Sequence, residues 1–132
     1  MIYYICSPFR GVTPEQVQAH IDYAAALSRE MLLQGIVPVT PHLYMTMCLN
    51  DNDPQERKTG LEAALELLEC CDLVVVGQDY GISEGMAVEI KRAKELGKPV
   101  FYHRLMPELF HRTPIFYRNH NGRWTDGSGK EL

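Results

Sequence analysis

Residues 72–93 read DLVVVGQDYGISEGMAVEIKRA. Four apolar residues in a row, Leu73 to Val76, leave no polar face. That pattern predicts a strand covered on both sides, as in the middle of a parallel sheet. Ser83 then offers a helix cap, and the apolar spacing becomes helical at Met86, Ile90 and Ala93. Gly97 closes this helix, and KPVFYH (98–103) supplies the next strand. A strand, a helix and a second strand of this length form a parallel crossover unit, and the unit decides the fold class.

Working outward, IYYIC (2–6) is β-branched and aromatic, so it predicts a first strand ending at the turn-rich SPFRG. Thr13-Pro14-Glu15-Gln16 is a helix start: Thr13 caps, Pro14 takes the first helical position, and Gln16 is placed to close a capping box. Val17, Ile21, Ala24, Ala25, Leu27, Met31 and Leu32 then mark an amphipathic helix, ended by Gly35. IVPVT (36–40) is a short second strand, and Pro38 favours an edge position because it removes a ladder donor. A long loop with a short helix inside follows, and GLEAALELLECC (60–71) reads as the second helix. The alternation predicts an α/β three-layer sandwich with a parallel, flavodoxin- or Rossmann-like sheet in strand order 2-1-3-4. The 132 residues fit one domain, 1–132, with a core at 1–104 and an extension at 105–132. Asn121-Gly122, between IFYR and RWT, predicts a hairpin in that extension, either at a sheet edge or as an arm onto a partner subunit.

The net charge of −4 and the lack of any dense Lys/Arg cluster argue against docking on DNA or RNA. No basic leader or long apolar stretch suggests a signal peptide or membrane span, so a cytoplasmic location is expected. Cys6, Cys48, Cys70 and Cys71 form no CxxC pair and are expected as small buried hydrophobes in a reducing compartment. The five histidines fall at no ligand spacing, so neither a metal nor another cofactor is expected.

The helix after the third strand has an odd feature. On a helical wheel Glu89 lies roughly 70° from the centre of the apolar arc, with Gly85 one turn above it on the same face. The helix start also sits at the carboxyl end of a central strand, where open α/β sheets bind ligands. One reading is a notch for a small polar ligand between SPFRG and YGISEG, floored by Glu89. The other is that Gly85 permits close packing while Glu89 pairs with Arg92 or solvent.

YICSPFRG at the start, DLVVVG in the middle and S-x-G-x-x-x-E-x-x-x-A directly after it resemble the nucleoside 2-deoxyribosyltransferase superfamily. Its 2'-deoxynucleoside 5'-phosphate N-hydrolases are included. With PHLY, the pattern is similar to an uncharacterised branch of it. The resemblance is strongest over 2–11 and 70–101. It implies an N-glycosidic-bond enzyme, hydrolase or base-exchange transferase, in which Glu89 attacks C1' of a deoxyribosyl unit. It implies that Ser83, Gly85 and Met86 border the sugar or phosphate and that Arg10 holds a 5'-phosphate. Ser7 and Gly11 become loop donors, Phe9 a stacking partner for the base or a buried loop anchor, and His42 and Tyr44 contacts to base or sugar, with a structural loop role as the alternative for His42. Either Tyr3 or Tyr4 orients the carboxylate. Asp51 and Asp53 are candidate acids or turn and cap residues, and Arg57 a phosphate contact or a partner of a nearby glutamate. Many such transferases carry an aspartate two turns before the aspartate of the third strand, and here that position is Ala64. Asp79 is the substitute candidate for a leaving-group acid, with a turn role as its alternative. The alternatives to an enzyme on deoxynucleosides are a non-catalytic nucleotide-binding module and a glycohydrolase of an NAD-like nucleotide. The resemblance also implies a homo-oligomer.

Overall fold

The computed structural model describes residues 1–105, 117–118 and 124–125. Strand β1 (Ile2–Cys6) leads into helix α1 (Pro14–Leu33) and strand β2 (Val37–Val39). A 3-10 turn (Pro41–Leu43) and the short α2 (Met45–Cys48) cross to helix α3 (Pro54–Glu69). Strand β3 (Leu73–Gly77), helix α4 (Glu84–Glu95) and strand β4 (Val100–His103) complete the main sheet. All its strand pairs are parallel, in the order β2-β1-β3-β4. The expected α/β sandwich and strand order are thus observed, with Pro38 on edge strand β2. A separate antiparallel ladder joins β5 (Tyr117–Arg118) to β6 (Trp124–Thr125), in line with the expected hairpin. Asn121 and Gly122, its expected turn, lie outside the described residues.

Strand alternation sorts side chains onto two faces. Ile5, Leu73 and Val75 pack with Tyr23, Leu27 and Met31 of α1 on one side. Tyr4, Cys6, Val74 and Val76 pack on the other with Leu68 of α3 and Met86, Ile90 and Ala93 of α4. Every residue of β3 is buried, as its unbroken apolar run requires. The Asp72 carboxylate accepts from the Ile2 amide at 2.7 Å, and the Asp72 amide donates to the Ile2 carbonyl at 2.8 Å. These two bonds fix the register of β1 against β3 at its lower end.

Helix starts follow their caps. Thr13 Oγ1 accepts from the Gln16 amide at 3.2 Å, while Gln16 Oε1 reaches one residue further back than a capping box does, to the Val12 amide at 2.7 Å. The second long helix begins at Pro54, not at Gly60. Asp53 caps it by accepting from the Gln55 and Glu56 amides at 2.9 and 3.4 Å, with Pro54 at its first position. Gly60 sits inside the helix, where a Cβ would stand 3.1 Å from Leu49 Cδ1, so it admits the preceding loop rather than starting the helix. Cys6 and Cys71 are buried as expected, but Cys48 and Cys70 are exposed: Cys48 ends a short helix with no buried residue, and Cys70 is the C-cap of α3.

At the end of β3, Gly77 meets α1 closely. A Cβ there would lie 2.5 Å from Leu27 Cδ1 and 2.7 Å from the Tyr23 hydroxyl. Gly77→Ala is therefore expected to destabilise the fold by about 1–3 kcal/mol, read as a lowered urea midpoint with an unchanged slope.

Candidate active site

The carboxyl ends of β1 and β3 and the amino end of α4 frame one cavity of about 260 Å³. Ser7, Phe9 and Arg10 enter from the loop after β1, and Ser83, Gly85 and Met86 from the start of α4. His42 and Thr46 come from the crossing segment after β2, and Arg57 and Ala64 from α3. This is the crevice in which parallel sheets place ligands, because the connections diverge where the strand order reverses. Two segments far apart in sequence, SPFRG and SEG, thus border one hollow.

Glu89 forms its floor. The residue is 1 % exposed, so the side chain turns inward from α4 rather than toward solvent or Arg92. Arg92 instead pairs with Glu69 and Glu95. Above Glu89, Gly85 leaves the cavity open, since a Cβ there would meet no atom within 4 Å. Ser83 accepts from the Met86 amide at 3.3 Å, and its own amide points to Met86 Sδ at 3.5 Å, which anchors the first turn of α4.

The electrostatics of Glu89 follow from its burial. Loss of water lifts its pKa from 4.5 to about 7; the neighbouring Cys6 thiol and Tyr4 hydroxyl pull it down only in part. Alternation settles which tyrosine faces the carboxylate: Tyr4 lies on the α3–α4 side, and Tyr3 on the α1 side. Burial, followed by the proximity of Glu89, pushes both the Tyr4 hydroxyl and the Cys6 thiol well up, so both keep their protons. Neither makes a well-formed bond to the carboxylate: the Cys6 thiol points to the Met86 carbonyl at 3.8 Å. Glu89 Oε2, Tyr4 Oη and Ser7 Oγ are all buried without a hydrogen-bond partner. Three orphaned polar atoms are costly in a closed core and suit a pocket completed by a polar ligand.

Across the cavity, His42 Nε2 lies 3.7 Å from Glu89 Oε1. Its ring stacks on Phe9, with centroids 6.0 Å apart and planes 17° from parallel. At the mouth, Arg10 Nε pairs with Asp51 Oδ2 at 3.2 Å, and the Arg10 side chain is 55 % exposed. That pair is open to solvent, so an incoming anion competes for the guanidinium at little cost.

Several expected residues stand elsewhere. Asp79 does not line the cavity. Its carboxylate is held by the Tyr23 hydroxyl and by the Leu105 amide at 3.1 Å, and its amide donates to the Tyr23 hydroxyl at 3.1 Å. These partners belong to the α1 face of the sheet, which takes Asp79 away from any leaving group bound over Glu89. Tyr44 is 48 % exposed and outside the lining, because the turn at 41–43 points its neighbour His42 inward instead. Gly11 is also outside it; a Cβ there would stand 2.6 Å from Gln16 Cβ, so Gly11 serves the approach of α1. Asp53 is a helix cap. Met45, Leu49 and Leu61 complete the apolar wall; Met45 and Leu49 fall in a segment too short to show a period, and Leu61 reads only as an apolar residue of its helix. No three His, Cys, Asp or Glu side chains among the described residues are grouped to hold a metal ion. None of the described helices is long and apolar enough to cross a membrane.

A family model described as a domain of unknown function (DUF7768) matches residues 1–103. No protein of curated function matches the chain in sequence. Among solved structures, a 2-deoxyribosyltransferase from the psychrotolerant bacterium Bacillus psychrosaccharolyticus is similar, with a TM-score of 0.57 and 24% identity. The match covers 82% of this chain and 75% of that one, and it is a likeness of fold.

The folded chain holds the Glu89 proton more tightly than the unfolded chain does. This contribution to stability is complete below pH 4.5 and is lost as pH rises through about 7. It amounts to about 3 kcal/mol. Glu89→Gln keeps the volume and removes the titration. Its thermal midpoint is expected to exceed that of the wild type at pH 8 and to approach it at pH 5.

Proposed function

The chain belongs to the DUF7768 family, and we propose that it is an N-glycosidic-bond enzyme acting on a deoxynucleoside or its 5'-monophosphate, with Glu89 as nucleophile. The observation that carries this is a carboxylate 1 % exposed at the floor of an open cavity, one helical turn below a glycine. The fold shared with a 2-deoxyribosyltransferase supports the same chemistry.

In the first step a Glu89 oxygen bonds to C1' as the C1'–N bond breaks, and the electron pair leaves with the base. The product is a glycosyl ester on Glu89. Water attacks C1' in the second step, releasing the carboxylate and a proton, so the sugar is hydrolysed with retention; a second base in place of water gives transfer. Desolvation makes the carboxylate a stronger nucleophile once ionised. Arg10 and Arg57 both line the cavity and supply the cations that a 5'-phosphate needs, and the planar guanidinium of Arg10 suits a bidentate grip once the phosphate displaces Asp51. The stacked Phe9 and His42 rings offer an aromatic wall for the base.

A second reading has one observation in its favour. Ala64 of α3 lines the cavity where many relatives by resemblance place a leaving-group acid, and Asp79 is not there to replace it. A module that captures a nucleotide without turnover would need no such acid.

Incubation with each deoxynucleoside 5'-monophosphate, followed by chromatography for free base, separates the two. Release by the wild type, reduced at least about a thousandfold in Glu89→Ala, is expected. Arg10→Ala is expected to raise KM about 10- to 100-fold for the monophosphate and to leave the unphosphorylated nucleoside nearly unaffected. Tight binding with no release by the wild type would leave only the binding module.

A further inference from the structure

His42 and Glu89 come from different elements, the turn after β2 and helix α4, yet their side chains meet inside the cavity. The His42 side chain is 25 % exposed and that of Glu89 2 %. Phe9 holds the imidazole by stacking, which leaves Nε2 facing Glu89 Oε1 at 3.7 Å. Asp51 acts on His42 from the loop before α3 and favours its protonated form, and Asp51 is itself paired with Arg10. The other ionisable groups against Glu89 are Tyr4 and Cys6 of β1, which stay protonated. Glu56, Arg57 and Glu84 border the same cavity from α3 and α4.

We propose that His42 is the proton partner of Glu89: the two side chains hold one proton between them, and its passage from Glu89 Oε1 to His42 Nε2 leaves the carboxylate ionised for attack. The role in attack rests on Glu89 being the nucleophile; the pairing does not. The step breaks the O–H bond at Oε1, forms an N–H bond at Nε2, and leaves the net charge of the pair unchanged. A separation of 3.7 Å is just beyond hydrogen-bond length, and a small side-chain rotation or one bridging water closes it.

Burial acts on the two groups in opposite directions. It raises the carboxyl to about 7 and lowers the imidazole below its usual 6.5, the latter partly offset by Asp51. Left alone, Glu89 would still carry its proton about half of the time at neutral pH, and in that form it cannot attack. An imidazolium next to the carboxylate stabilises the ionised form, since opposite charges at this distance favour each other. The pair therefore titrates as a unit, and its one-proton state contains the reactive ion pair. His42 acts through Glu89 and is a positioning residue.

The test is a proton NMR titration of the imidazole ring protons, with the His42 signals assigned by their loss in His42→Gln. In Glu89→Gln the His42 midpoint is expected to fall by about one pH unit relative to wild type, because its anionic partner is gone. Asp51→Asn, at a partly exposed position already paired with Arg10, is expected to lower it by less. In base-release assays, His42→Gln is expected to move the acid limb of kcat/KM up by about one pH unit relative to that variant's own alkaline plateau, a shift that lost stacking on the base does not produce. A His42 midpoint that does not move in Glu89→Gln overturns the pairing. A rate lost equally at every pH in His42→Gln overturns its role in ionising Glu89. A moved midpoint in a chain that releases no base supports the pairing and rejects Glu89 as nucleophile.

Discussion

The cavity depends on the burial of one carboxyl group. Taking a carboxylate out of water costs several kcal/mol unless neighbours compensate, and the usual outcome is that the group keeps its proton. Glu89 has that character: a raised pKa, two protonated neighbours on β1, and one oxygen with no partner. Folding tolerates this because the rest of α4 is well seated. Met86, Ile90 and Ala93 are buried against β3, and Ser83 caps the first turn. A helix anchored on both sides of Glu89 keeps the group in place although it contributes little favourable packing of its own. Strained or unsatisfied groups retained within a well-packed frame are common where chemistry occurs.

The frame comes from the sheet. Parallel strands send all their carboxyl ends to one edge, so the loop after β1, the turn after β2 and the start of α4 converge there without contact along the chain. The strand order matters in detail: β1 and β3 are adjacent, so Tyr4 and Cys6 sit directly under α4. The opposite face of the sheet has another task. Asp79 ties the end of β3 to Tyr23 of α1 and to the Leu105 amide, and so holds the far side of the molecule together. Two polar residues ten positions apart thus serve different faces, one for stability and one for the cavity.

Much of this was legible in the sequence, for identifiable reasons. The apolar run Leu73 to Val76 has one physical explanation, burial on both faces, and it located the central strand. The Thr13-Pro14 pair marked its helix through cap chemistry. Gly85 and Glu89, one turn apart, already suggested a notch with a carboxylate below it. Other features were hidden. The start of α3 carried its own signal in Asp53-Pro54, but Gly60 drew the boundary too late because a glycine reads as a break when its packing partner, Leu49, is out of view. Tyr3 and Tyr4 are indistinguishable until the strand's facing is known. Asp79 has the right residue type and a loop position, and only the side of the sheet decides against it. The contacts of His42 with Glu89 and Phe9 join segments 47 and 33 positions apart, and no local pattern encodes such a meeting.

The most direct measurement is to trap the glycosyl ester. A 2'-fluoro-arabinonucleoside 5'-monophosphate keeps the bond to be broken, while the fluorine slows departure of the sugar from the enzyme by destabilising its cationic transition state. Intact-mass spectrometry after incubation, followed by peptide mapping, should show one added fluorosugar phosphate on the peptide containing Glu89 and none in Glu89→Gln. An adduct on another residue, or base release without any adduct at Glu89, would contradict the account.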